Sequence, residues 1–381
     1  MPSTNDAERE ALAEYRRQNV PLYNDNRLKL GLFSMNCSGG MCVSTAPSSW
    51  TIDWSYHRQL VQKADTLGFE ILVPVARWRG MGGETDYTGE NYETFTYASA
   101  VAASTENIMT VGTVHAPLIH PLVAAKAGAT IDHVSGGRFA MNLVMGWSVP
   151  EFEMFGVEQR DHETRYQYGA EWIEVLRRLW ADREPFDHDG EFFQLQQAQS
   201  KPKPIQPRPP ILNAGNSPTG AAWAARHADF NFISFADVDG ARDYTTDVKR
   251  TARDDYGRDL GVLTYGLVIC RDTEKEAEEV HRQIVDMGDW QAANNMMSVL
   301  GIQSGSFDEQ FRGPMAESIV AGGGAAKVVG TPEQVAEYLA SIAEAGIDGV
   351  CLGFLNWDEE LAYFGEKVLP LLEQRGLRKP V

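Results

Sequence analysis

The sequence predicts an α/β protein built as a (β/α)8 barrel. Short apolar or β-branched runs alternate with amphipathic stretches of helical length, and this alternation occurs eight times along 381 residues. The runs are nearly continuous in apolar residues, which is typical of parallel strands covered on both faces. Eight strand–helix units in one chain favour a barrel, whereas the alternative, a doubly wound sheet, usually has fewer strands.

The predicted elements follow one another in a regular order. The strands are expected at 28–33, 69–75, 108–114, 138–144, 210–214, 230–235, 263–270 and 349–354. The helices are expected at 53–67, 92–104, 121–133, 168–181, 218–227, 238–255, 273–288, 332–345 and 357–374. Local signals mark several helix ends: Asp53 precedes the first helix, Gly68 follows it, and Thr331-Pro332 begins the eighth.

Three segments interrupt this alternation. Residues 1–27 form a polar, acid-rich N-terminal arm. Residues 183–209 contain closely spaced prolines that exclude a helix there. Residues 289–327, between strands 7 and 8, are rich in glycine and methionine, and a loop of that length at the catalytic end of a barrel is typical of a lid. We therefore predict one barrel domain over 28–381 with a lid-like insertion at 289–327.

Charge and cysteine usage exclude several function classes. With 34 Lys and Arg against 53 Asp and Glu, the formal net charge is −19, which argues against binding to nucleic acid or to an anionic membrane. No apolar segment has the length of a membrane helix, and the N-terminus lacks the apolar region of a secretory signal, so we expect a cytoplasmic protein. Four scattered cysteines do not have the spacing of a zinc site, and no metal is expected.

Candidate functional residues follow the second and third strands, where the chemistry of a barrel is located. Ala76 and Arg77 begin a segment with two arginines beside a tryptophan, which can hold a planar or anionic ligand; a solvated arginine pair is the alternative. Thr113 and His115 end strand 3. His115 is a candidate acid, base or hydrogen-bond donor, and a structural histidine is the alternative.

Further candidates come from strands 4 and 5. Asn142 is polar within an apolar run, so its amide needs a partner, either a ligand or a neighbouring carbonyl. Small residues before Ser217 at a helix N-terminus suit an anion, although ordinary N-capping by Ser217 is the alternative. With Arg165 as countercharge, a phosphate is favoured. The sequence shows no Ser-His-Asp order, zinc-protease motif or Walker motif, which suits a cofactor that carries its own chemistry.

Three motifs in order, 129–139, 142–147 and 329–336, resemble the bacterial luciferase-like superfamily of reduced-flavin-dependent monooxygenases. Within it the chain is most similar to the branch of pyrimidine and dimethylsulfone monooxygenases, and riboflavin lyase is a related option. The resemblance implies a (β/α)8 barrel that uses reduced FMN and O2 to oxygenate or cleave a small molecule, such as a pyrimidine, a flavin or a sulfone. It also implies a separate NAD(P)H-dependent flavin reductase and a homo-oligomer, either a dimer or a tetramer.

The resemblance also implies roles for particular residues. Seven positions fall where the pyrimidine enzyme binds FMN: Ala76, Arg77, Asn142, Glu151, Arg165, Tyr166 and Ser217. Thr113 and Asn142 fall where it holds dioxygen, and with His115 they are the candidate catalytic residues. Arg77 replaces a lysine of that enzyme, and His115 replaces a small residue. Two alternatives remain, an F420-dependent hydride-transfer oxidoreductase and a non-catalytic flavin-binding protein, but the 142–147 motif favours flavin.

Overall fold

The computed structural model describes residues 4–235, 237–300, 309–324 and 326–380. Within these ranges the strands, in chain order, are β1 (Lys29–Phe33), β2 (Ile71–Val73), β3 (Met109–His115), β4 (Phe139–Val144), β5 (Phe186–Asp189), β6 (Gln194–Ala198), β7 (Ile211–Asn213), β8 (Phe230–Ile233), β9 (Gly261–Cys270), β10 (Ala326–Gly330) and β11 (Gly349–Gly353). The helices are α1 (Thr4–Asn19), α2 (Trp54–Thr66), α3 (Thr94–Ser104), α4 (Pro121–Ser135), α5 (Val149–Met154), α6 (His162–Ala181), α7 (Pro218–His227), α8 (Val238–Tyr256), α9 (Glu274–Asp286), α10 (Trp290–Val299), α11 (Glu309–Val320), α12 (Pro332–Glu344), α13 (Trp357–Lys367) and α14 (Leu369–Gln374).

Eight of the strands close into a parallel barrel. Their order around the ring is β1, β2, β3, β4, β7, β8, β9 and β11, and β11 pairs with β1 from Lys29↔Gly349 onward. The other junction is closed by β8 and β9, which pair from Phe230↔Gly261 onward. All eight predicted strands are present at the expected places, so the predicted (β/α)8 barrel is confirmed and the doubly wound alternative is wrong.

Apolar side chains from most of the barrel strands pack together inside the barrel. This cluster combines residues from β2, β3, β4, β7, β8, β9 and β11 with two from the N-terminal arm: Val20, Leu22, Ile71, Val73, Met109, Val111, Ala140, Leu212, Phe230, Phe232, Leu263 and Cys351. Removing this apolar surface from water is the main favourable contribution to folding. Phe232 of this cluster also borders the open space at the carboxyl ends of the strands.

The N-terminal arm, expected from its sequence only to be polar, contains regular structure. Its described part begins with α1, and a 3-10 turn at Pro21–Tyr23 follows it. The Arg16 side chain is buried and donates to Asp229 at 3.0 Å, just before β8. Polar composition hides this contact because the helix docks through a buried ion pair as well as through the ring of Tyr15.

The other two interruptions also contain regular structure. The proline-rich segment 183–209 holds the antiparallel hairpin of β5 and β6. The insertion at 289–327 holds α10, α11 and the start of β10, while residues 301–308 and 325 lie outside the described residues. Strand β10 pairs with β9 from Ala326↔Gly266, beyond the part of β9 that pairs with β8. The insertion therefore joins the barrel wall at its carboxyl end.

No helix among the described residues combines the length and apolar character needed to cross a bilayer. In the same part of the chain, no group of three or more His, Cys, Asp and Glu side chains is arranged to hold a metal ion.

Candidate active site

A cavity of about 1330 Å³ opens at the carboxyl ends of the barrel strands. Its wall includes the last residues of β3, residues at and after the ends of β2, β4 and β7, and parts of α6, α10 and α11. Eight of the nine predicted site residues line it: Ala76, Arg77, Thr113, His115, Asn142, Arg165, Tyr166 and Ser217. Glu151 does not line it, because this side chain lies fully buried behind the wall.

Thr113 and Asn142 form a polar pair on neighbouring strands. They face each other in the β3–β4 register, and the Asn142 amide nitrogen lies 3.4 Å from the Thr113 hydroxyl. That hydroxyl donates to the Pro74 carbonyl at 2.6 Å, so its lone pairs remain for acceptance. The Asn142 Oδ1 atom is buried and has no hydrogen-bond partner within the described residues. A buried amide oxygen of this kind is a natural acceptor for a ligand.

A second group of polar side chains surrounds the N-terminus of α7. Ser217 caps this helix by accepting from the Gly220 N–H at 3.1 Å, and it lies 3.3 Å from His162 Nε2. Tyr166 lies beside Ser217, and Arg165 donates to the Gly146 carbonyl. Helix N–H groups, a hydroxyl and a guanidinium together suit an anion such as a phosphate.

Two glycines allow close packing at this end of the cavity. A Cβ at Gly215 would lie 2.6 Å from the Tyr166 hydroxyl oxygen and 2.9 Å from the Gly220 Cα. A Cβ at Gly220 would make equally close contacts with Tyr166 and Gly215. The loop after β7 can therefore approach the first turn of α7 this closely only because both positions are glycine.

Arg77, Glu151 and His115 form a buried polar cluster. The Arg77 guanidinium lies 4.2 Å from the centre of the Trp147 ring and 4.0 Å from Glu151. Burial lowers the pKa of Arg77, while the Glu151 carboxylate opposes that change. Burial and, second, the Arg77 cation lower the pKa of His115 to about 3. His115 is therefore a neutral side chain in the cavity wall.

The cavity also contains residues that the sequence analysis missed. Phe33, Phe232 and Tyr265 pack against one another, with ring centres 4.7 to 5.5 Å apart, and all three line the cavity. Apolar side chains of the insertion, including Met296 and Met315, complete another wall. The aromatic residues at the carboxyl ends of β1 and β8 were a usable signal, because side chains at those ends face a common site.

Comparison with known proteins identifies the family. The model of the luciferase-like monooxygenase family matches residues 28–349. The chain belongs to this family. The predicted family and the predicted enzyme class, a monooxygenase among the oxidoreductases, are confirmed.

Individual relatives agree with this assignment. The FMNH(2)-dependent dimethylsulfone monooxygenase of Pseudomonas fluorescens (strain Pf0-1) is 33% identical over 357 residues, covering 91% of this chain and 95% of that protein. Pyrimidine monooxygenase RutA of Acinetobacter baylyi is 31% identical over 354 residues, with coverage of 91% and 95%. A crystal structure of riboflavin lyase with modified FMN and riboflavin has a TM-score of 0.83 at 22% identity and covers 93% of each chain. This last likeness shows the shared fold.

Proposed function

We propose that the protein is a two-component monooxygenase that uses reduced FMN and O2 to oxygenate or cleave a small organic molecule. The observation that carries this proposal is the Asn142 Oδ1 atom, a buried acceptor that has no partner in the described part of the chain and lies beside the Thr113 hydroxyl. It is located in the same cavity as the anion site at α7. A cofactor with a ring system and a phosphate matches both features.

The donor set fits FMN. Ser217, Arg165 and Tyr166 would hold the phosphate, since they combine a helix N-terminus with a guanidinium and two hydroxyls. Ala76 and Arg77 would bound the ring system. Glu151 would act from behind the wall by holding the backbone next to Arg77, because it accepts from the Trp78 N–H at 2.9 Å.

Reduced FMN supplies the electrons with which dioxygen is activated, and the protein supplies the surroundings. Asn142 and Thr113 would orient the oxygen and the ring through their amide and hydroxyl groups. His115 would contact the substrate as a neutral hydrogen-bonding group. The apolar wall made by Met296, Met315 and the aromatic cluster would exclude water from the reacting atoms.

The insertion 289–327 is proposed as a lid over this cavity. Met296 and Leu300, in and just after α10, and Met315 and Ile319 from α11 reach the cavity wall. If the segment closes on ligand, backbone hydrogen exchange in 290–299 and 309–320 should slow when reduced FMN and substrate are both present. Unchanged exchange under those conditions would show that the insertion is a static wall.

The activity test uses the full chain with FMN, a flavin reductase, NADH and air. Sulfones, pyrimidines and flavins are screened for substrate loss, and 18O2 labels any oxygen that enters the product. The expected result is labelled product that requires the reductase, which would be a separate partner protein. Product formed with F420 and without O2 would instead support the hydride-transfer alternative, and tight flavin binding without turnover would support a binding protein.

The relatives do not name the substrate of this chain. The names of the pyrimidine and dimethylsulfone monooxygenases give small molecules as their substrates, and both enzymes share about a third of their residues with this protein. We propose a small-molecule substrate and a homo-oligomeric enzyme. Sedimentation of the purified protein would test the second statement, with a dimer or tetramer expected and a monomer contradicting it.

A further inference from the structure

Two buried polar atoms face each other behind the cavity wall. His115 Nδ1 lies 3.8 Å from Glu151 Oε2, and neither atom has a hydrogen-bond partner among the residues that the structure describes. The distance exceeds a normal hydrogen bond by about 0.8 Å. Because an unsatisfied buried polar atom is costly, each of these atoms is a suitable partner for the other, and a small side-chain rotation would bring them within hydrogen-bond distance.

The surroundings of Glu151 decide which atom donates. Its Oε1 atom accepts from the Trp78 N–H at 2.9 Å, and this bond turns Oε2 toward His115. An ionised carboxylate only accepts hydrogen bonds, and the Arg77 cation 4.0 Å away balances its charge. The proton between the two side chains therefore belongs to His115 Nδ1.

A neutral imidazole carries one N–H, so a proton on Nδ1 leaves a lone pair on Nε2. We propose that Glu151 is a positioning residue that fixes His115 as the Nδ1–H tautomer, so that Nε2 offers the substrate a hydrogen-bond acceptor. It follows that the substrate carries an N–H or O–H donor at that position. This statement about the substrate rests on the proposed oxygenase function, whereas the statement about the tautomer does not.

The charged and titratable groups around His115 agree with a neutral ring. The Arg77 guanidinium and the Glu151 carboxyl group are its neighbours in the buried cluster, and Arg77 adds to burial in lowering the pKa of His115. The pKa of His115, lowered to about 3, keeps the ring neutral at physiological pH. His115 lines the cavity, so this acceptor is placed where it can influence the choice of substrate.

The first test reads the tautomer directly in the full-length protein. With 15N-labelled histidine, long-range proton–nitrogen spectra distinguish a protonated Nδ1 from a protonated Nε2, and His115→Phe assigns the signal. We expect the Nδ1–H form at pH 7 without any ligand. A protonated Nε2, or a doubly protonated ring, would overturn the proposal.

The variant Glu151→Gln should reverse the direction of the hydrogen bond between residue 151 and His115 Nδ1. The Trp78 N–H holds the side-chain carbonyl of the new glutamine, so its amide NH2 faces His115 and donates to Nδ1. The tautomer should change to Nε2–H, whereas Glu153→Gln, an exposed position on the same helix, should leave it unchanged. An unchanged tautomer in folded Glu151→Gln would contradict the role of Glu151. If that variant does not fold, the wild-type spectrum still decides the tautomer.

The second test uses any substrate found in the activity screen and its derivative methylated at the N–H or O–H. In the wild type, methylation should lower kcat/KM about tenfold to hundredfold, because the acceptor then lacks its donor. In His115→Phe, which keeps a ring of similar size but has no acceptor, this discrimination should disappear if it comes from the hydrogen bond and persist if it comes from simple bulk. Equal turnover of both compounds by the wild type would refute the donor requirement. Failure to find any oxygenated product would refute the proposed function and leave the tautomer result standing.

Discussion

The buried carboxylates at the two ends of the barrel differ in how fully they are hydrogen-bonded. At the amino end, Asp229 accepts from Arg16 at 3.0 Å, from Arg208 at 2.7 Å and from the Ile211 N–H at 3.0 Å. At the carboxyl end, Glu151 accepts from one backbone N–H, and its second oxygen has no partner in the described part of the structure. One carboxylate is saturated by the protein, and the other is not.

Glu70 repeats the pattern of Asp229. It precedes β2 and accepts from the Leu30 N–H, from Asn24 and from Arg378 near the C-terminus. Both ends of the described chain are thus fastened to the amino end of the barrel by buried ion pairs, one through Arg16 and the other through Arg378. The comparison indicates that buried ion pairs stabilise the fold at the amino end of the barrel, whereas polar groups at the carboxyl end remain available for ligands.

The largest expected effect comes from removing the fully hydrogen-bonded carboxylate at the amino end of the barrel. Burial alone would raise the pKa of Asp229, but Arg16, Arg208 and Arg258 overcome it and hold this pKa well below its usual range. Replacing Asp229→Asn leaves buried cations without a counter-charge and should lower the free energy of unfolding by about 3–5 kcal/mol. Urea denaturation measures this. The exposed Asp239→Asn should change it by less than about 0.5 kcal/mol, and equal effects would contradict the comparison.

The next largest effect is a loss of turnover at the cavity end without loss of the fold. Asn142→Ala removes an amide whose oxygen has no partner in the described chain, so the free energy of unfolding should change little. Turnover should fall about 10²–10³-fold, because a preorganised polar group is lost. Asn231→Ala is the comparison variant, because Asn231 is a buried asparagine whose hydrogen bonds are made within the protein. It loses hydrogen bonds to Asn213 at 2.9 Å and Tyr244 at 2.6 Å, and it should be destabilised by about 1–3 kcal/mol. Retained turnover in Asn142→Ala would remove this residue from the catalytic group.

A smaller effect tests the anion site. Arg165→Ala should weaken the binding of reduced FMN by about 1.5–3 kcal/mol, the value of a charge-assisted hydrogen bond. Anaerobic fluorescence titration gives the dissociation constant, and oxidised FMN is expected to bind more weakly than reduced FMN throughout. Arg160→Ala is the matched control, because Arg160 stacks on Tyr168 and does not line the cavity. Equal dissociation constants for wild type and Arg165→Ala would exclude Arg165 from the phosphate site.

The sequence predicts the barrel well because its strands are local, apolar and regularly spaced. It does not predict α1 or the β5–β6 hairpin, since their stability depends on contacts with distant parts of the chain rather than on an apolar period. Arg16 and Asp229, for example, are 213 residues apart.

The site is predicted in the same uneven way. Thr113 and Asn142 are found because each follows or interrupts an apolar strand, and the strands bring them together. The sequence cannot place Glu151 behind the wall, because that depends on how α5 turns its first residues toward the Trp78 N–H. Nor can it bring Phe33 to Phe232, since their contact requires the closed barrel.

The smallest predicted effect is on the pH dependence of the free energy of unfolding, to which the two ends of the barrel contribute differently. The pKa of His115 is lowered to about 3, against about 6.5 in an unfolded chain. Between these values the unfolded state binds the extra proton, so the stabilisation is complete above pH 6.5 and is lost as the pH falls toward 3. One such histidine contributes a slope of about 1.4 kcal/mol per pH unit. Asp229 adds nothing to this slope in most of the window, because the carboxyl group is ionised there in both the folded and the unfolded protein.

The variant His115→Asn isolates that contribution from the cavity end. Urea midpoints measured from pH 7 to pH 4 should fall less steeply in the variant, by about 1.4 kcal/mol per pH unit after conversion to free energy. A slope remains, because burial also lowers the pKa of His57 to about 4. Identical slopes in wild type and variant would mean that His115 takes up a proton as readily in the folded as in the unfolded protein. In that case the buried polar cluster of Arg77, Glu151 and His115 would have to be open to water.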